Sequence, residues 1–169
     1  GLHTTVEVTA GKWADAAPPA PPPDSWAAKD ENDVAIWNIQ MAPGVIFTLP
    51  AASKGTNRSI YFYKGDALQV DGEKVDSYHS AELDATAQTE LIAGNETCHV
   101  LLLQGKPINE PVVQHGPFVM NTMEEIQETF AEYQRTQFGG WPWPENGPVH
   151  DRNRGRFAQH ADGTTEEPK

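Results

Sequence analysis

The sequence predicts an all-β domain of the sandwich, jelly-roll or small-barrel kind, with one late α-helix and an extended tail after it. Three observations carry this. Over residues 34–105 short runs of alternating apolar residues recur with turn residues between them, and no helical period interrupts them. Thr122 followed by Glu125 at the third position on is a capping box, the start signal of a helix. Beyond Gly140 the sequence WPWP sets each tryptophan before a proline, which restricts both to extended backbone.

In chain order, residues 4–9 set Val6 and Val8 between polar neighbours and stop at Gly11, a short strand that needs a partner sheet, in this chain or elsewhere. Residues 17–23, APPAPPP, form a stiff extended strap that cannot join a ladder. No basic anchor flanks it closely, so it reads as a spacer and not as a ligand for an aromatic groove. Residues 1–33 are thus an N-terminal strand and a proline-rich linker. The strand runs follow. VAIWNIQM leads to the Pro43-Gly44 turn, GVIFTLP to a polar loop over 53–57, and SIYFYK to Gly65-Asp66. ALQV and EKVDSYH flank Asp71-Gly72, the dipeptide of a tight hairpin turn; AELDAT, TELIAG and TCHVLLLQG complete the set. Period-two alternation puts Ile60, Phe62, Leu68 and Val70 on one face and Tyr61 and Tyr63 on the other. The unbroken VLLL predicts a strand covered on both sides.

Pro107 and Pro111 lack backbone donors, so 104–121 should leave the sheet and cross the surface extended. A helix is predicted over 122–137, with Glu124 and Glu125 in its first turn and Ile126, Phe130 and Tyr133 on one face. Gly139 and Gly140 should end it. In the tail, 141–169, the rings of Trp141 and Trp143 should pin the chain to the body. Arg152, Arg154 and Arg156 alternate, as along one side of a strand or at a local anion site, with a solvated edge the commoner explanation, and fraying is expected beyond Asp162.

A length of 169 residues suits one domain with a long tail, able to bury roughly 70% of its unfolded surface. A net charge of -12 and a pI near 4.8 speak against direct binding to nucleic acid or an anionic membrane, both of which need positive patches. With one cysteine, Cys98, no internal disulfide can form, and a reducing, cytoplasmic setting is expected. No apolar run reaches membrane-spanning length. Gly1 in place of Met is what a processed or excised piece would show. The patterns Asn57-Arg58-Ser59 and Asn95-Glu96-Thr97 read as chance glycosylation matches. Nucleophile elbows, P-loops, paired cysteines and dinucleotide fingerprints do not occur in the sequence.

The run GKPINEPVVQHGPFVMNTMEEIQETFAEYQRTQFG resembles the segment that closes the C-terminal half of pirins, proteins built from two cupin barrels. QHGPFVMNT is its most specific part. A looser resemblance extends from Val34 to GRFAQHADGTTEEP, so the chain resembles half of a pirin. The implied fold is a cupin-type double-stranded β-helix, a jelly roll, with 34–140 as the C-terminal cupin domain. The resemblance further implies one iron in the N-terminal barrel, quercetin-type dioxygenase activity in some members and a role as nuclear transcription cofactor in eukaryotic ones.

Cupin barrels hold their metal with two histidines one residue apart, a glutamate soon after and a third histidine on a later strand, a set that suits iron with open positions. In this chain Pro50, Ala51 and Ala52 stand at the histidine pair, no glutamate follows before Gly65, and Thr89 lies near the later histidine position. The expectation is therefore no catalytic, cofactor-binding or metal-binding residue in this chain, with iron belonging to an N-terminal cupin outside it. Its role would be a structural or regulatory lobe. Its partner would be that N-terminal cupin or a second copy in a homodimer. Gln114, His115, Gly116, Pro117, Phe118 and Asn121, from the family motif, are candidates for interdomain contact. Trp37, Tyr61 and Tyr63 are candidates for lining the barrel.

Two rivals stand beside this reading. One is a self-sufficient metal-dependent cupin oxygenase using His79, His99 or His115. Cys98 and His99 cannot easily share an ion, because neighbouring strand residues point to opposite faces. For His115 the plainer role is a ring bonded to backbone where the chain turns at Gly116-Pro117. The other rival is a jelly-roll binding module, holding a small aromatic or sugar among Trp37, Tyr61 and Tyr63.

Overall fold

The strand runs of the sequence form two antiparallel sheets in the computed structural model, which describes residues 3–16, 18–141, 143 and 150–168. Ala17, the first residue of the strap, and 144–149 in the tail lie outside the described residues. The chain divides into two units, Gly1–Asn109 and Glu110–Lys169.

In the first unit, β1 (Thr4–Ala10), β2 (Ala35–Met41), β9 (Cys98–Gly105), β4 (Asn57–Lys64) and β7 (His79–Glu82) lie side by side in that order as a five-stranded sheet. A four-stranded sheet has the order β3 (Ile46–Leu49), β8 (Thr89–Ala93), β5 (Leu68–Val70) and β6 (Glu73–Val75). Neighbours in space are mostly not neighbours in sequence, as a jelly roll requires. Between the sheets one core gathers Trp37, Ile39, Ile60, Phe62, Val100 and Leu102 from the first with Leu49, Leu68 and Leu91 from the second. Every one of these sits at the inward parity of its strand.

Local signals explain most joints. Asp71 and Gly72, with φ of 49° and 85°, form the two-residue turn between β5 and β6, a backbone twist that suits a hairpin. Asp66 accepts N–H bonds from Ala67, Asn95 and Glu96 and so ties the turn after β4 to the turn before β9. Four readings of the sequence are settled or corrected here. The first strand finds its partner within this unit, pairing antiparallel with β2 at the sheet edge. EKVDSYH is not continuous: β6 stops at Val75, Tyr78 takes a positive φ of 63°, and β7 begins at His79. The strand read in AELDAT ends at Glu82, after which Asp84 accepts from the backbone and hydroxyl of Thr86 in a local turn. In VLLL only one face is fully covered, since Val100 and Leu102 are buried while Leu101 and Leu103 are half-buried.

In the second unit, QHGPFVM is not extended along its whole length. It is a hairpin of β10 (Val113–His115) and β11 (Phe118–Met120) turning on Gly116-Pro117. The prolines at 107 and 111 lie before it and do not interrupt it. Helix α1 (Met123–Thr136) begins with the capping box the sequence predicts: Thr122 Oγ1 accepts from Glu125 N while Glu125 Oε2 accepts from Thr122 N. Ile126 is buried, and Phe130 and Tyr133 meet Phe118 edge-on from the hairpin. The helix stops at Gln137, itself left-handed at φ 53°, two residues ahead of the expected Gly139. Gln137 Nε2 donates to Tyr133 O, which offsets part of the cost of a non-glycine residue there.

The tail also departs from the extended reading. β12 (Ala158–Gln159) and β13 (Thr165–Glu166) pair as a short hairpin, where fraying was expected. Arg154 reaches Glu167 and lies over the Phe157 ring, and all three arginines lie before β12, outside any strand. Trp141 and Trp143 pack on each other, with ring centroids 4.7 Å apart.

Gly65 is a turn position pressed against the core. Its φ is +133°, and an added Cβ would lie 2.9 Å from Phe62 and 3.0 Å from Cys98 Sγ. Gly65→Ala is expected to destabilise the fold by about 2–3 kcal/mol. Gly55, also at positive φ but with open space around it, should cost only the backbone term of about 1–2 kcal/mol on the same change. Urea unfolding of both variants with an unchanged m-value checks the ranking.

Candidate functional site

At one end of the five-stranded sheet the inward positions stop being apolar. Arg58 of β4 pairs with Gln104 of β9, and Gln104 pairs with Ala35 of β2, so the three share one row across the sheet. In the next row Ile60, Leu102 and Trp37 lie opposite one another. Arg58, Gln104 and Trp37 thereby converge from adjacent strands on the wall of a cavity of about 480 Å³. The end of β1, the proline strap at 18–21, the segment 27–30 and the loop 50–53 after β3 supply its other walls. The region before β2 is tied in place: Trp26 Nε1 donates to Lys106 O at 2.8 Å, Asn32 Nδ2 to Trp26 O, and Lys106 N to Asn32 O.

Arg58 is only 3% exposed and Trp37 only 4%. Arg58 Nη1 donates to Pro50 O at 2.7 Å, fixing the loop 50–53 against β4. Its Nε, together with Trp37 Nε1 and Gln104 Oε1, is buried with no hydrogen-bond partner among the described residues. A buried polar group left so costs about 1–3 kcal/mol. Three at one place are a concentration that calls for an explanation. Burial pushes the Arg58 guanidinium down from its usual value, and the nearby Asp33 charge opposes this. Trp37 is held from behind by Trp13, with ring centroids 4.9 Å apart, and Trp13 meets Phe47 in turn.

Asp33 is the anchor of this end. Its φ of 49° is left-handed, and its carboxylate accepts from Ser53 N at 2.7 Å, Thr56 Oγ1 and Gln104 Nε2 at 3.0 Å. Burial alone would raise its pKa; the bonds from Ser53, Gln104 and Thr56 outweigh burial and hold it below the ordinary value of 3.8.

The residues singled out in the sequence do not gather into one site. Trp37 lines the cavity, but Tyr61 and Tyr63 stand on the opposite face of the sheet, 41% and 36% exposed. Tyr63 donates to Asn38 there and packs beside His99. The aromatic trio read as barrel lining is thus a correction, since strand parity separates it. Gln114, His115, Gly116, Pro117, Phe118 and Asn121 all fall in the hairpin and the start of α1 in the second unit. Gln114 is exposed on β10, Gly116-Pro117 is the turn, Phe118 centres an aromatic cluster, and Asn121 Nδ2 donates to Glu110. The His115 ring packs edge-on to Phe130 at 5.6 Å, and the main chain of His115 pairs with Phe118 across the hairpin.

Iron does not fit the donors here. Pro50, Ala51 and Ala52 carry no side chain that could ligate, Thr89 is buried on β8, and no three of His, Cys, Asp and Glu converge among the described residues. Cys98 is buried, with its thiol donating to Ala67 O and pushed up in pKa by burial, while His99 is half-buried on the other face. Arg58 and Gln104, which dominate the cavity, escaped the sequence reading. Their signal was a charged residue at inward parity in NRSIYFYK, seen only as the middle of a glycosylation pattern.

The family profile of the pirin C-terminal cupin domain matches residues 36–139. The chain belongs to the pirin family as its C-terminal cupin domain. Human pirin is 32% identical over 106 residues, covering 60% of this chain and 36% of that protein. A candidate quercetin 2,3-dioxygenase of Vibrio cholerae is 44% identical over 82 residues, covering 48% of this chain and 28% of the other. Among solved structures, a quercetin 2,3-dioxygenase from Acinetobacter baumannii superposes with a TM-score of 0.66 at 26% identity, over 82% of this chain and 48% of that one. The chain therefore spans about a third of these curated relatives and about half of the solved one. The cupin jelly roll is shared. No described helix is long and apolar enough to cross a membrane.

The depressed pKa of Asp33 sets a pH dependence with a definite sign. The carboxylate is favoured by folding, so its contribution is full above the ordinary value of 3.8 and fades as pH falls through the lower folded value. Asp33→Asn keeps a residue that tolerates left-handed backbone but replaces one accepting oxygen with a donor, facing either Ser53 N or Gln104 Nε2. It should cost about 1–3 kcal/mol at pH 7. The gap to wild type should close below pH 3.8 in thermal unfolding followed by circular dichroism.

Proposed function

We propose that this chain is the metal-free lobe of a two-cupin pirin-like protein, acting as its structural and regulatory half and leaving the redox chemistry to the N-terminal cupin. The observation that supports this most directly is the loop 50–53. The resemblance sets this loop where the family pattern has its metal-binding histidines, and Arg58 Nη1 donates to Pro50 O within it. A buried guanidinium at that position repels a metal cation. The relatives named for quercetin 2,3-dioxygenase support a dioxygenase of that type as the activity of the whole protein. In that protein this lobe would brace the iron-bearing barrel and take no part in electron transfer. Its partner is the N-terminal cupin or, for the isolated chain, a second copy. Its setting is cytoplasmic, and its charge of -12 disfavours direct contact with nucleic acid or anionic lipid.

Metal analysis of the purified chain, before and after anaerobic incubation with ferrous iron, tests the reading. The expected result is well below one metal per chain with the circular dichroism spectrum unchanged. Retention of iron near one per chain, lost on His99→Ala or His115→Ala, would overturn it in favour of a self-sufficient oxygenase.

A further inference from the structure

The strap between β1 and β2 is a segment that the first unit holds in place and leaves open to solvent. Residues 18–23 read PPAPPP. Proline fixes φ at about -65°, and a residue before proline is held extended, which applies to 18, 20, 21 and 22. The strap is therefore polyproline II in form, with three residues per turn. Residues 19–24 are an unbroken exposed run. Among the described residues no donor meets the carbonyls of 18–21, and Pro22 O accepts from Ser25 N at 3.0 Å.

Both ends of the strap are fastened. On the β1 side Trp13 packs edge-on to Trp37 and against Phe47. On the β2 side Trp26 Nε1 donates to Lys106 O, and Asn32 Nδ2 to Trp26 O. The fold thus orders the strap in advance, which removes a cost that a free proline-rich segment meets on binding. With a period of three, Pro19 and Pro22 share one ridge and Ala20 and Pro23 another, all four exposed. The third ridge begins at Pro18, which is half-buried. Two neighbouring ridges with free carbonyls between them are what an aromatic-lined groove recognises.

The sequence alone reads this run as a spacer, because no basic residue anchors it. The charges around it have the other sign. Asp15 and Asp24 are exposed and make no ion pair among the described residues, while Lys12 is taken up by Asp30. A matching groove therefore carries a basic residue at its edge, where one that reads basic anchors carries an acidic one. Trp26, 36% exposed and two residues beyond Asp24, extends the surface with a ring of fixed orientation.

We infer that the strap is a docking site for a protein domain whose groove is lined by aromatic rings and edged by a basic residue. The rings take the ridges 19/22 and 20/23, donors between them meet the free carbonyls, and the basic residue pairs with Asp24. The inference goes beyond the metal-free reading and does not rest on it, since the strap supplies none of the ligand positions of the family pattern.

Nitrogen-15 NMR of the full chain, titrated in turn with purified SH3, WW and EVH1 domains, is the test. The Ala20 and Asp24 amides and the Trp26 indole N–H are expected to shift together and saturate with a domain whose groove has a basic edge. The dissociation constant should be about 1 mM or tighter. Pro19→Ala with Pro22→Ala should weaken that binding about tenfold while the Trp37 indole resonance stays in place. Asp24→Lys should weaken it several-fold, and high salt should narrow the gap to wild type. Should the proline variant misfold, Asp24→Lys, at an exposed residue, decides alone. Ala20, Asp24 and Trp26 resonances unmoved by every domain would overturn the inference and leave a spacer. Binding that survives the loss of both prolines, or that Asp24→Lys leaves unchanged, would overturn it as well.

Discussion

The register of β9 between β2 and β4 is the constraint on which the first unit depends. Because side chains alternate with period two, pairing Leu102 with Trp37 and Ile60 fixes the face of every residue on three strands at once. Cys98, Val100 and Leu102 are committed to the core, and by the same parity Gln104 is committed to the inward side at the strand's end. Arg58 follows from the pairing on β4. A slip of one residue would bring His99, Leu101 and Leu103 inward and expose Val100 and Leu102, losing most of the apolar burial between the sheets. The hydrophobic core and the polar cavity wall are thus consequences of one alignment.

That parity also explains what the sequence reveals and what it hides. Ile60, Phe62, Leu68 and Val70 could be assigned to one face, and Tyr61 and Tyr63 to the other, because alternation acts within a strand and is visible locally. Asp71-Gly72 and the Thr122–Glu125 box were equally legible, since each needs only neighbouring residues. The joint lining assigned to Trp37, Tyr61 and Tyr63 failed for a different reason. It needed the relative facing of β2 and β4, which the ladder through β9 settles and no local pattern records.

The same division separates the errors in the second half of the chain. Pro107 and Pro111 correctly mark a segment outside the sheets, but they say nothing about the five residues after Pro111 that begin a new hairpin. There Gly116-Pro117 is the turn, and its Phe118 becomes the centre of an aromatic cluster with Phe130, Tyr133 and Phe138. Glycines drew the expected helix stop to residue 139, whereas the chain turns left-handed at Gln137 and Phe138. Packing of Phe138 on both Phe118 and Tyr133 accounts for this: the stop is set by where that ring must go, and tertiary contact overrides the preference for glycine.

At the cavity the residue types differ in electrostatic character from the metal site that the family pattern describes. A metal site presents lone pairs from imidazole and carboxylate, which attract a cation and become costly without one. Here the loop 50–53 presents no such donors, and the strands beside it offer N–H groups and a guanidinium. On the metal-free reading proposed above, the Arg58 guanidinium binds the backbone of the loop in which metal ligands would have to stand, so placing histidines at 50–52 would not by itself make a metal site. Arg58 would have to leave first, and with it the hydrogen bond that holds Pro50 in place.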